Sequence, residues 1–177
     1  MKKKLVFIGK SCSGKTTLAN ELCKFGLKTQ LSTTSRPKRK LEKNYVDYEF
    51  ISENEFNNRK KNGKFIETDV FNGWNYGLSY EEFERSDILI LTPRGFKKII
   101  EKVSCDNFLV IYLETSISLR KQRIEERCDN YDSLHRRWVA DDIDFENWEQ
   151  WGYPWDMKIS LQNNNAIMEI MEIITNK

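Results

Sequence analysis

The segment Gly9-Lys10-Ser11-Cys12-Ser13-Gly14-Lys15-Thr16 matches the phosphate-binding pattern G-x-x-x-x-G-K-[ST] at every fixed position. It stands between an apolar run, Lys4 to Ile8, and a stretch of helical spacing, Thr17 to Cys23. Few folds allow that order. Glycines let successive backbone N–H groups curl around a polyphosphate, and the helix that follows points its positive end at the anion. The sequence therefore predicts a nucleoside triphosphate held by residues 9–17. Lys15 reaches the outer phosphates, and the Thr16 hydroxyl is the candidate ligand for Mg²⁺.

The order of elements predicts an α/β fold of the P-loop NTPase kind, a parallel sheet flanked by helices. Strands are expected at 4–9, 27–32, 87–91 and 108–113, with a short one at 157–161. Helices are expected at 15–25, 94–103 and 165–175, with charged helices between 116 and 150. Ile88 to Leu91 and Phe108 to Leu113 are continuous apolar runs, as strands covered on both faces require. Residues 32–80 interrupt this pattern. Val46 to Ile51 alternates as a half-buried strand. Ser52 with Glu55 reads as a capping box for a helix ending near Asn62-Gly63. Residues 64–71 and 74–78 form a hairpin about Asn72-Gly73. One domain is expected over residues 1–177. Its core spans 1–31, 80–115 and 157–177, with an insertion at 32–79 and a lid at 116–150.

Composition excludes several classes. The net charge of +2 arises from near balance, so nucleic acid is not an expected partner. No apolar run approaches the ~20 residues that cross a bilayer, and the basic start at Met1 to Lys4 leads into too short an apolar stretch for a signal peptide. Cys12, Cys23, Cys105 and Cys128 have neither paired nor metal-ligand spacing, which points to a reduced, cytoplasmic protein. Trp138, Trp148, Trp151 and Trp155 are expected to pack the last helices. His135 is expected at the surface. Asp141, Asp142, Asp144 and Glu146 are expected on a solvated helix face.

Arg36, Arg39, Tyr48 and several hydroxyls follow the phosphate loop at a distance that suits a second anion. Here the chain resembles the guanylate kinase family. Residues 31–51 align without a gap to that family's S-x-T-T-R-x-P-R-x-G-E and D-Y-x-F segments through Ser32, Arg36, Arg39, Glu42, Asp47, Tyr48 and Phe50. Gly63 to Glu67 and Asn75-Tyr76-Gly77 resemble its G-x-F-(I/L)-E and N-Y-Y-G blocks. Arg123 to Arg127, with Arg136 and Arg137, resembles its arginine-bearing lid.

The resemblance implies a kinase that uses ATP and Mg²⁺ to phosphorylate a nucleoside monophosphate, with GMP or dGMP leading. Arg36, Arg39, Tyr48 and Tyr76 would hold the acceptor phosphate. Glu67 would accept hydrogen bonds from the base, beside Ser32. Arg123, Arg127 and Arg137 would close over the phosphates. A monomer or homodimer is expected. The family's Asn-Asp pair near the nucleoside edge of the donor site is not recovered in Leu161 to Asn163. Three further positions depart from the family pattern: Leu78 stands where a hydroxyl is usual, Thr92 where an acid is, and Arg94 where a glutamine is. They bear on the acceptor pocket, so another base, or ribose 1,5-bisphosphate, stays open as acceptor. A binding module without activity is the remaining alternative, and the intact Lys15 and Thr16 speak against it.

Overall fold

The structure is a computed structural model that describes residues 3–71, 73–126, 134–146, 148, 155–160 and 166–175, with the side chains of 134–137, 166 and 174–175 outside the description. Its elements run β1 (Lys4–Ile8), α1 (Lys15–Cys23), β2 (Thr33–Thr34), β3 (Glu49–Phe50), α2 (Glu53–Lys61), β4 (Phe65–Phe71), β5 (Trp74–Ser79), α3 (Tyr80–Arg85), β6 (Ile88–Ile90), α4 (Pro93–Ile100), β7 (Phe108–Glu114), α5 (Ile117–Glu126), α6 (Leu134–Phe145), β8 (Met157–Ser160) and α7 (Ala166–Thr175).

One sheet has the order β6-β1-β7-β8 and is parallel throughout. Its central strand β1 alternates in a simple way. Leu5 and Phe7 face a cluster built with Leu18 and Leu22 of α1 and Ile170 of α7. Val6 and Ile8 face a second cluster built with Phe96 and Ile99 of α4 and Trp148. Strand β7 divides its residues in the same way. Helices on both faces leave no solvated side, and this is why these strands read as unbroken apolar runs.

The second sheet has the order β3-β2-β5-β4 and is mixed, with β2 antiparallel to β5 and parallel to β3. The β4–β5 hairpin is as the sequence predicts, with Gly73 at φ +79° in its turn; Asn72 lies outside the described residues. Ser52 caps α2 by accepting from the Glu55 N–H. Helix α3 is not anticipated by the sequence reading. Ser79 caps it by accepting from the Glu82 N–H.

Two strand expectations are corrected. Residues 27–32 make one isolated parallel bridge, Thr29 to Ile88, because the chain leaves the edge of β6 for the second sheet after it. In the 46–51 run, Val46 is 69% exposed and only Glu49–Phe50 pairs. The reason is a local turn: Tyr45 takes φ +60°, and the Asn44 side chain accepts from the N–H groups of Tyr45 and Phe50. Period-two alternation here marks a polar turn rather than a ladder. Trp148 and Trp155 pack as expected, the first 3% exposed and the second stacked on Tyr112. Trp151, Cys128 and the His135 side chain lie outside the description. Among the described residues no helix is long and apolar enough to cross a membrane.

Gly77 of β5 seats the aromatic pair Phe56 and Phe65, whose rings stack at 4.7 Å. A Cβ at Gly77 would stand 2.9 Å from Phe65 and 3.0 Å from Phe56. Gly77→Ala should therefore cost about 1–3 kcal/mol, read as a lowered midpoint in urea unfolding with unchanged slope.

Candidate active site

The phosphate loop leaves the C-terminal end of β1, the usual ligand edge of a parallel sheet. Gly9 has no room for a side chain: a Cβ there would lie 2.7 Å from the Leu113 carbonyl. Gly14 turns the loop into α1 at φ +101°. Helix α1 has no side-chain cap and no acid in its first turn. Its N-terminal dipole is thus not offset from within. Lys15 Nζ lies 2.6 Å from the Gly9 carbonyl and 3.0 Å from that of Lys10, directly over the loop. The Lys10 side chain turns away to Asp142.

Across the cleft, β2 and the segment after it bring up the second set of cations. Arg36 is 6% exposed and donates twice to the Glu42 carboxylate, at 2.8 and 3.0 Å. Arg39 donates to the same carboxylate through its guanidinium at 3.0 Å and its backbone N–H at 2.8 Å. Burial alone would raise the Glu42 carboxyl. The bonds from Arg36 and Arg39 outweigh it and hold the group below its ordinary range. Glu42 therefore fixes both arginine forks at once. The Arg36 guanidinium also stacks within 5.5 Å of the Tyr48 and Phe50 rings. Burial, with the neighbouring Tyr48, pushes the Tyr76 phenol up, so it stays a neutral donor.

The two sets line one cleft of about 260 Å³. Gly9, Ser11 to Thr17, Ser32, Arg36, Arg39, Tyr48, Glu67, Tyr76 and Thr92 all contribute to its wall. Glu67 comes from β4. A Cβ at Gly95 would lie 3.5 Å from Glu67 Oε2, so the start of α4 packs against this carboxylate. Burial, then the Asp69 charge, pushes the Glu67 carboxyl from 4.5 to about 7, against the pull of Lys98 and Lys102. Its Oε2 is buried with no hydrogen-bond partner among the described residues. Thr92 has two roles: it caps α4 by accepting from the Gly95 N–H, and its hydroxyl lies 3.3 Å from Asp69 Oδ2.

Leu78 and Arg94 stand elsewhere than on this wall. Leu78 is fully buried in the core with Ile66 and Phe83, behind the cleft wall. Arg94 is not part of that wall. Its guanidinium pairs with Asp144 of α6 at 2.6 Å and lies 3.9 Å from Asp69. Asp144 and Asp141 in turn are not solvated: they are 3% and 4% exposed. Asp141 accepts from the Ser11 N–H and hydroxyl and pairs with Arg120. Arg120, which the sequence reading does not single out, also donates to the Ser11 carbonyl at 2.9 Å. A helical period of three between Asp141 and Asp144, on a stretch with apolar neighbours, is the signal that one face of α6 is inward. Arg123 donates to the Cys12 carbonyl at 3.0 Å, which brings it to the phosphate loop. Arg127 and the side chains of Arg136 and Arg137 lie outside the described residues, as do Leu161 to Asn163.

Comparison with known proteins agrees with this architecture. The guanylate kinase family model matches residues 1–166. Guanylate kinase of Bartonella henselae is 29% identical over 151 residues, covering 81% of this chain and 68% of that protein. Guanylate kinase of Bacteroides fragilis is 32% identical over 141 residues, covering 78% and 65%. The chain thus spans about two thirds of the length of these relatives. The crystal structure of guanylate kinase from Anaplasma phagocytophilum superposes with a TM-score of 0.73 at 22% identity, over 98% of this chain and 85% of that one, a likeness of fold. By the reach of the family match, over residues 1–166, this chain belongs to the guanylate kinase family.

Proposed function

We propose that this chain transfers the γ-phosphoryl group of ATP to a nucleoside monophosphate, with GMP or dGMP as acceptor, giving ADP and the diphosphate. One observation carries the proposal: the phosphate loop and the Arg36–Arg39 pair line the same cleft. Phosphoryl transfer asks little covalent chemistry of a protein. It asks that two anions be held in line with their repulsion offset. Loop amides and Lys15 take the donor phosphates. Arg36, Arg39, Tyr48 and Tyr76 orient the acceptor phosphate. Arg123, joined by Arg127 and Arg137, adds charge where it develops. A monophosphate is already an anion, so no general base is needed.

The Thr16 hydroxyl on the cleft wall is a hard oxygen donor of the kind Mg²⁺ takes, and it would hold the ion. When bound, the ion offsets phosphate charge. The names of the relatives support GMP as the acceptor, and Glu67 with its buried, unpartnered oxygen supports a base with a donor edge. The sugar-phosphate alternative draws on Arg94 and on the absence of an acid at Thr92, and the charge of Arg94 is matched here by Asp144. We further assign 32–79 as the acceptor-binding part, 116–150 as the lid, and the cytoplasm as the site of action.

ADP release with ATP, Mg²⁺ and a panel of GMP, dGMP, AMP, CMP, UMP and ribose 1,5-bisphosphate tests the proposal. Turnover with GMP or dGMP is expected, and turnover with the sugar phosphate alone would overturn it. Lys15→Ala should lower kcat by about 10²-fold or more with the melting temperature unchanged.

The Glu67 carboxyl supplies a pH signature. Its native value, about 7, lies above its ordinary 4.5, so the stability it contributes is complete below 4.5 and is lost as pH rises through about 7. The melting temperature of Glu67→Gln should therefore gain on the wild type between about pH 5 and about pH 8. An ionised Glu67 is the better acceptor for a base N–H, so KM for GMP should rise as pH falls below about 7.

A further inference from the structure

Glu67 and Asp69 are two residues apart on β4 and share one face of the strand. Both line the cleft. The N-terminal turn of α4 lies against them. Gly95 lies against Glu67, and Thr92 donates its hydroxyl to Asp69 Oδ2 at 3.3 Å. Lys98, one turn further along α4, approaches Asp69 Oδ1 at 3.3 Å, and Arg94 Nε stands 3.9 Å from Oδ2. The Asp69 side chain is 15% exposed.

Two carboxylates placed together in a half-buried wall repel each other. Here Lys98 and Arg94 offset that repulsion from behind. An ionised carboxylate has about four lone-pair sites, and hydrogen bonds from Thr92 and Lys98 occupy two of those on Asp69. Asp69 and Glu67 line the same cleft, and Glu67 Oε2 has no hydrogen-bond partner among the described residues. Neither group is a donor when ionised, so the pair suits a ligand edge that presents two neighbouring N–H donors and rejects one that presents an acceptor there.

We propose that Asp69 is a specificity-determining residue of this cleft, which with Glu67 forms a paired acceptor set for a purine edge carrying a ring N–H and an adjacent exocyclic amino group, Asp69 taking the amino group. The proposal rests on the function proposed above and deepens it. It also accounts for Thr92: the threonine at the start of α4 orients a carboxylate that this chain carries on β4.

GMP and IMP differ by that amino group, and they form the test. Steady-state kinetics of the full chain with ATP and Mg²⁺ are compared for the wild type, Asp69→Ala and the isosteric Asp69→Asn. Expected is a loss of about tenfold or more in kcat/KM for GMP in Asp69→Ala, with IMP little changed. Asp69→Asn should move the GMP-to-IMP ratio in the same direction. A strut that merely holds Lys98 and Arg94 would lower both substrates alike, so equal losses, or an unaltered ratio in a folded Asp69→Asn protein, overturn the assignment alone. A wild type that turns over neither nucleotide overturns the proposed function, and the assignment with it.

Discussion

Burial of β1 on both faces fixes where this protein can hold an anion. Leu5 and Phe7 are committed to one cluster, Val6 and Ile8 to the other, and β6 and β7 pair along its two edges. A strand so enclosed cannot slip by one residue without turning its whole pattern inside out. The loop that leaves it is therefore delivered to one place, and Gly9 lets that loop pass close to the Leu113 carbonyl. Everything on the far side of the cleft is positioned against that fixed point.

Charge in the cleft is arranged in compensated sets. Glu42 holds Arg36 and Arg39, Asp141 holds Arg120, and Asp144 holds Arg94. Cations fixed before the ligand arrives need not be ordered when it binds. A carboxylate that grips two forks also lets their outward edges meet a phosphate without the two guanidinium groups drifting apart. Compensation is incomplete at Glu67 and Asp144: burial raises both carboxyls, and Glu67 Oε2 has no hydrogen-bond partner among the described residues. Such an imbalance is stored where a ligand can relieve it.

Much of this was legible in the chain itself. The phosphate loop, the parallel sheet and the hairpin follow from local rules: glycine spacing, apolar runs buried on two faces, and a turn dipeptide. Arg36, Arg39, Tyr48, Glu67 and Tyr76 fall in the wall by the spacing of a family pattern. What local sequence does not carry is tertiary. A turn closed by Asn44 decides the place of Val46, and packing against Ile66 and Phe83 that of Leu78. Asp141 and Asp144 looked solvated because acidic residues usually are. Their burial depends on Arg120 and Arg94, which arrive from other helices and leave no mark in the local sequence.

The bonds from Asp141 to the Ser11 N–H and hydroxyl have one more consequence. They tie a helix late in the chain to the loop that opens it, with Arg120 bridging the joint. Helix α6 cannot swing away as a rigid body without parting those bonds and exposing a desolvated carboxylate. Displacement of the helix and reshaping of the loop are therefore a single event with one free energy, and any ligand that favours one geometry of the loop biases the posture of the helix by the same amount.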